Sequence, residues 1–150
     1  MLFLMESLLT ALDRAGAAFR RTAHVTHAQR QGLAGERAAY FHLRRMGFTV
    51  VARRWRHALL NGEVDLIAWE GETLAFVEVK TRAQSAAFAA EFQVDKRKME
   101  ALRRMAEAYV RQLPWKPGRQ PNVQPRFDVV SVYLRPDGSA DIQLLRNFFR

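Results

Sequence analysis

Apolar residues recur along this chain with two different periods, and the switches between them mark out its elements. Over residues 1–22, Leu4, Leu8, Leu12 and Phe19 fall near one helical face, with Arg14, Arg20 and Arg21 elsewhere. Helical spacing returns over 29–46, where Leu33, Tyr40 and Leu43 form the expected buried stripe and Gly47 supplies a helix stop. Phe48 to Arg56 alternates loosely, as a strand with an arginine-rich end does. Two apolar runs follow, 62–69 and 73–82, joined by Glu70-Gly71-Glu72 and read as a β-hairpin. Small residues fill 83–90. The strongest helical pattern covers 92–112, with Val94, Lys98/Met99, Leu102, Met105/Ala106 and Tyr109 at helical spacing. Pro114, Pro117, Pro121 and Pro125 make 114–125 a loop. Arg126 to Leu134 is a strand by its β-branched and aromatic content, Pro136-Asp137-Gly138 turns the chain, and Ile142 to Leu145 makes an edge strand.

The passage from strand 73–82 through helix 92–112 to strand 126–134 has the length of a parallel crossover. A hairpin beside a parallel crossover implies an α/β fold: a mixed central sheet, in the order α-β-β-β-α-β-β, with helices packed on it. Residues 1–28 read as a helical extension ahead of one domain, 29–150, and Met5 is an alternative start.

Charged residues interrupt the hairpin where its apolar sequence otherwise calls for burial. If Gly71-Glu72 forms a two-residue loop, facing residues have numbers that sum to 143. Asp65 then faces Glu78, Glu63 faces Lys80, and alternation puts all four on one side. Opposed carboxylates need a shared proton or a bound cation. Lys80 is read either as an ion-pair partner of Glu78 or Glu63, or as a group that positions water or offsets charge near a phosphate. Glu63 binds a metal, holds Lys80 or caps the hairpin. Glu36, between Leu33 and Tyr40 on the inward helix face, is either a further ligand or a boundary carboxylate paired with an arginine. Asp128, buried by pattern and close to Arg126, reads as a structural ion pair.

Composition narrows the partners. Lys plus Arg number 24 against 15 Asp plus Glu, a formal +9, which favours a polyanion such as nucleic acid. With no cysteine the chain makes no disulfide and holds no thiolate zinc site, and His24, His27, His42 and His57 show no paired-ligand spacing. Apolar stretches fall short of a membrane span, and the leading segment, broken by Glu6 and Asp13, lacks a basic start; the reading is soluble and cytoplasmic.

The segments Gly35-Glu36, Gly62-Glu63-Val64-Asp65-Leu66-Ile67-Ala68, Phe76-Val77-Glu78-Val79-Lys80-Thr81-Arg82 and Arg126-Phe127-Asp128-Val129-Val130 together resemble the YraN family. That family is a bacterial branch of the PD-(D/E)xK nuclease superfamily, with a restriction-endonuclease-like fold and a motif layout similar to archaeal Holliday-junction resolvases. The resemblance covers roughly residues 30–150 and leaves out the first 25 or so. It implies a magnesium-dependent nuclease site, manganese being a substitute, with Asp65 and Glu78 as the metal-binding acids. Lys80 would be the superfamily lysine and Glu36 the helix glutamate that completes the site. Arg53, Arg54, Arg56, Arg82 and Lys96 would steer nucleic acid, expected to be branched or single-stranded DNA. A homodimer and a role in repair or recombination are compatible with it; so is a non-catalytic nucleic-acid-binding module of the same fold. Two departures stand out. Arg53-Arg54-Trp55-Arg56 replaces a stretch in which family members more often have asparagine, and Asn147-Phe148-Phe149 replaces Asn-Ala-Phe.

Overall fold

The computed structural model describes residues 26–83, 96–114, 123 and 125–149. The expected helix over 1–22, the small-residue segment beyond Ala83, Val94 and most of the proline loop lie outside these residues.

Helix α1 spans His27–Arg45 and starts two residues earlier than its apolar spacing suggests. Its start is fixed by a reciprocal cap: Thr26 Oγ1 accepts from Gln29 N (3.2 Å) and Gln29 Oε1 accepts from Thr26 N (2.8 Å). Its end is a Schellman turn, in which Gly47 (φ 92°) donates to the Arg44 carbonyl and Phe48 N to that of Leu43. The buried stripe matches expectation at Tyr40 and Leu43 but not at Leu33. Gly35, Ala39, Tyr40 and Leu43 are buried, whereas Leu33 is 47% exposed. Small residues line this face because the helix lies close to the sheet. A Cβ built on Gly35 would sit 1.8 Å from Thr81 Oγ1 and 2.8 Å from Thr81 Cβ.

Five strands form one sheet in the order β1-β2-β3-β4-β5. They are β1 (Thr49–Trp55), β2 (Val64–Glu70), β3 (Thr73–Ala83), β4 (Pro125–Leu134) and β5 (Ala140–Phe149). Between β3 and β4, helix α2 is described over Lys96–Gln112. Neighbours pair antiparallel except β3 with β4, which are parallel, so the sheet is mixed as expected. The hairpin register is the one that the Gly71-Glu72 loop implies: Leu66 pairs with Val77, Ile67 with Phe76 and Glu70 with Thr73. The architecture, an α/β mixed sheet flanked by two helices, is that of a restriction-endonuclease-like fold.

The two helices use opposite faces of β3. Gly35 of α1 meets Thr81, while Leu102, Met105 and Ala106 of α2 cluster with Phe76; residues 76 and 81 differ by an odd number and so point to opposite sides. Tyr109 of α2 stands edge-on to both Trp55 (5.2 Å) and Phe76 (5.8 Å), tying β1 to the middle of the sheet. Strand β5 runs well past the expected 142–145. A bulge between Phe127 and Val129, with Asn147 at φ 51°, lets pairing resume at Phe149 after the apolar alternation has ended.

Candidate active site

Halfway along β3, near the start of β2, the hairpin ladder opens. The last recorded pair is Leu66 with Val77, and one step further in the same register sets Asp65 opposite Glu78. There Asp65 Oδ2 accepts a hydrogen bond from the Val79 main chain at 2.7 Å. Alternation along β3 puts Glu78, Lys80 and Arg82 on one side, the side that α2 covers at Phe76.

Glu78 is 8% exposed and held by two ammonium groups at the same oxygen. Lys80 Nζ lies 2.9 Å from Oε1, and Lys98 Nζ, from α2, contacts Oε1 as well. Burial alone would raise the Glu78 carboxyl, but the hydrogen bonds from Lys98 and Lys80 outweigh it and hold the group below its usual range. Asp65 goes the other way. Burial pushes it up to about 7, against the Val79 hydrogen bond, and the charges of Glu78 and Glu36 add to the rise. Lys98 is held above the usual lysine range: burial would lower it, but its hydrogen bond and charge pairing with Glu78 prevail.

Glu63 does not face Lys80. It immediately precedes β2 and is taken by the neighbouring strand's end, with Arg54 Nε at 2.9 Å from Oε1 and Arg56 Nε at 2.5 Å from Oε2. These arginines hold its carboxyl below the usual range although burial opposes them. Arg54 also approaches Glu36 Oε2 at 3.7 Å. Glu36 is thus an inward boundary carboxylate with an arginine beside it, and its charge is felt at Asp65. Arg53 turns away from this group; its guanidinium lies 5.2 Å from the centre of the Tyr40 ring. Lys96 is exposed at the start of α2, two residues before Lys98 in sequence.

Among the described residues no three acidic or histidine side chains converge as a ready-made metal cage. Asp65 and Glu78 supply hard oxygen donors on adjacent strands. A magnesium ion, which keeps several waters and takes one or two carboxylates plus phosphate, needs no more than that.

A second, closed ionic network links β4 and β5 to Glu70 at the hairpin turn. Fully buried Asp128 receives Arg126 in bidentate fashion (2.8 and 2.7 Å) and the Asn147 N–H at 2.8 Å. Arg126 reaches on to Glu70 (2.6 Å), which also takes Arg146 (2.6 Å). The expected Arg126–Asp128 pair is therefore a structural one.

Comparison with known proteins gives a family match over residues 35–132 to "Uncharacterised protein family UPF0102". The chain belongs to UPF0102. This is the YraN family that its motifs resemble, and the nuclease superfamily assignment is consistent with it. A UPF0102 protein of Koribacter versatilis is 43% identical over 119 residues, covering 79% of this chain and 78% of that protein. One from Solibacter usitatus is 40% identical over 144 residues, covering 95% and 100%. One from Caldicellulosiruptor saccharolyticus is 39% identical over 119 residues, covering 79% and 95%. The Solibacter match necessarily reaches into the first 25 residues, which the motif resemblance leaves out.

In the arginine-rich end of β1, Arg54 sits at φ 47°. That left-handed conformation suits asparagine and strains most other residues. The charge on Arg54 is then held by Glu63 and Glu36, a compensation asparagine could not offer in the same way. The site residue that sequence reasoning missed is Lys98. It appeared only as a member of the α2 stripe; its signal was a cation four residues before buried Leu102, at the helix end nearest the hairpin charges.

Proposed function

We propose that this UPF0102 protein is a divalent-metal-dependent nuclease that hydrolyses DNA phosphodiester bonds, with branched or single-stranded DNA as its substrate in repair or recombination in the cytoplasm. One observation carries the reading: Asp65, its carboxyl raised to about 7, stands beside Glu78 and Lys80 at the open end of a hairpin. Burying a carboxylate beside other acids is costly unless a cation is to come. Asp65 and Glu78 would hold Mg²⁺ or Mn²⁺, with Glu36 close enough to bias the same charge balance. When bound, such an ion lowers the pKa of a coordinated water and offsets charge on the phosphate.

The chain's own groups do the remaining work. Lys80, fixed on β3 two residues from Glu78, orients the attacking water or a phosphate oxygen. Glu63 keeps Arg54 and Arg56 at the rim, where their positive charge draws the DNA backbone in. Arg82 shares the Lys80 side of β3 and extends that field. The formal +9 of the whole chain supports a polyanionic substrate.

The test is cleavage of duplex, single-stranded and four-way-junction DNA with Mg²⁺ and Mn²⁺. Asp65→Asn and Glu78→Gln should abolish cleavage while circular dichroism stays native. Metal-dependent cleavage retained in both variants would overturn the assignment. A second reading has its own support, since Glu78 and Glu63 already have cationic partners. On that reading the protein is a non-catalytic nucleic-acid-binding module. It would bind DNA with strong salt dependence, indifferent to chelator, and hydrolyse nothing.

A further inference from the structure

Glu78 Oε1 accepts from two ammonium groups, those of Lys80 and Lys98, one from the same strand and one from α2. A divalent ion ligated by this carboxylate would stand close to both, and ion and ammonium repel. Which lysine leaves is decided by anchoring. Lys80 springs from an inner strand, paired at that residue to Ser131 of β4, and its side chain is 40% exposed. Lys98 arrives from the beginning of a helix, its side chain is 55% exposed, and its four-carbon stem lets the ammonium move through several ångströms without backbone change.

We propose that Lys98 is a cation placeholder. Its ammonium holds Glu78 in the absence of metal, gives way when the divalent ion binds, and then contacts the DNA backbone beside Lys96 and Arg97. The proposal rests on the reading of Glu78 as a metal ligand and adds a residue to it. Lys98 is on this account a positioning residue with two successive partners. It keeps the buried carboxylate turned toward the site before metal arrives, and it couples metal binding to substrate binding afterwards.

The two roles predict opposite changes from one substitution, which a merely structural lysine would not produce. Mn²⁺ binding is measured by calorimetry on the full chain for wild type, Lys98→Met, Lys98→Arg and Glu78→Gln. Binding to an uncleavable phosphorothioate DNA is then measured in Ca²⁺ across a salt series. Lys98→Met should bind Mn²⁺ roughly fivefold more tightly, the scale of a half-exposed ion pair. The same variant should bind DNA more weakly, its salt slope shallower by about one. Lys98→Arg should restore wild-type values in both. Unchanged or weaker Mn²⁺ affinity in Lys98→Met would overturn the placeholder role, and unchanged DNA affinity would overturn the second contact. If wild type binds no Mn²⁺, or Glu78→Gln keeps full affinity, the metal-site reading itself fails and this proposal falls with it.

Discussion

Replacing Asp65 with asparagine should stabilise the protein, and only at the alkaline side of its range. Asparagine keeps a carbonyl oxygen to accept from Val79 N, 2.7 Å away in the wild type, but has no proton to lose. In the folded wild type, burial and the charges of Glu78 and Glu36 raise Asp65 from 3.8 to about 7. The folded state therefore holds the Asp65 proton more tightly than the unfolded chain. The stability this contributes is complete below about pH 4 and is lost as pH rises through 7. At about 1.4 kcal/mol per pH unit, the full loss is on the order of 4 kcal/mol. Measured as the difference between variant and wild type, the titrations of groups distant from Asp65 cancel.

Urea denaturation without divalent metal, near pH 4.5 and near pH 8, reads this directly. The advantage of Asp65→Asn should widen by about 3 kcal/mol between the two conditions. A gap that stays constant to within about 1 kcal/mol would refute the claim that ionising Asp65 opposes folding. Adding Mg²⁺ near pH 8 should then recover stability in the wild type alone, because the ion binds the ionised carboxylate of the folded state. Equal recovery in the variant would separate the buried charge from the metal.

Other consequences are simpler to state. Gly35→Ala should destabilise by about 1–3 kcal/mol, since its Cβ would overlap Thr81, whereas Gly32→Ala in the same helix meets nothing within 4 Å and should stabilise by about 0.5–1 kcal/mol; thermal melts of the two, compared with wild type, check the pair. Asp128→Ala leaves Arg126 without its buried partner and should cost about 3–5 kcal/mol in urea. Asn147→Val puts a β-branched side chain at φ 51° and should cost about 1–2 kcal/mol, read by the same denaturation.

What the sequence disclosed depended on how local the determining interaction was. The hairpin register followed from Gly71 and a two-residue loop, and it holds from Leu66 to Glu70. The same arithmetic misplaced Glu63, because its partners come from β1, on the far side of β2 from Lys80. Apolar spacing found α1 but chose Leu33 as a core residue. The helix instead approaches the sheet through Gly35, where having no side chain is what matters, and no hydrophobic pattern registers that. Lys98 was hidden for a related reason: a lysine stem packs along an apolar stripe while its ammonium reaches past it, so the pattern absorbed the residue that touches Glu78.

The two charged clusters show why one of them is read as a site. In one, Glu70 and Asp128 are matched by Arg126 and Arg146, and their hydrogen bonds close on one another. In the other, Glu78 and Glu63 have cations, Glu36 has Arg54 near it, and Asp65 takes a main-chain N–H. Glu63, Glu70 and Glu78 are all held below their usual range, while Asp65 is driven above its own. Counting charges would not distinguish the clusters; the direction of the Asp65 shift does. A carboxylate under that pressure is stabilised by any cation that reaches it. It lies near the start of β2, opposite the middle of β3, where the β2–β3 ladder has ended and β3 runs on paired with β4.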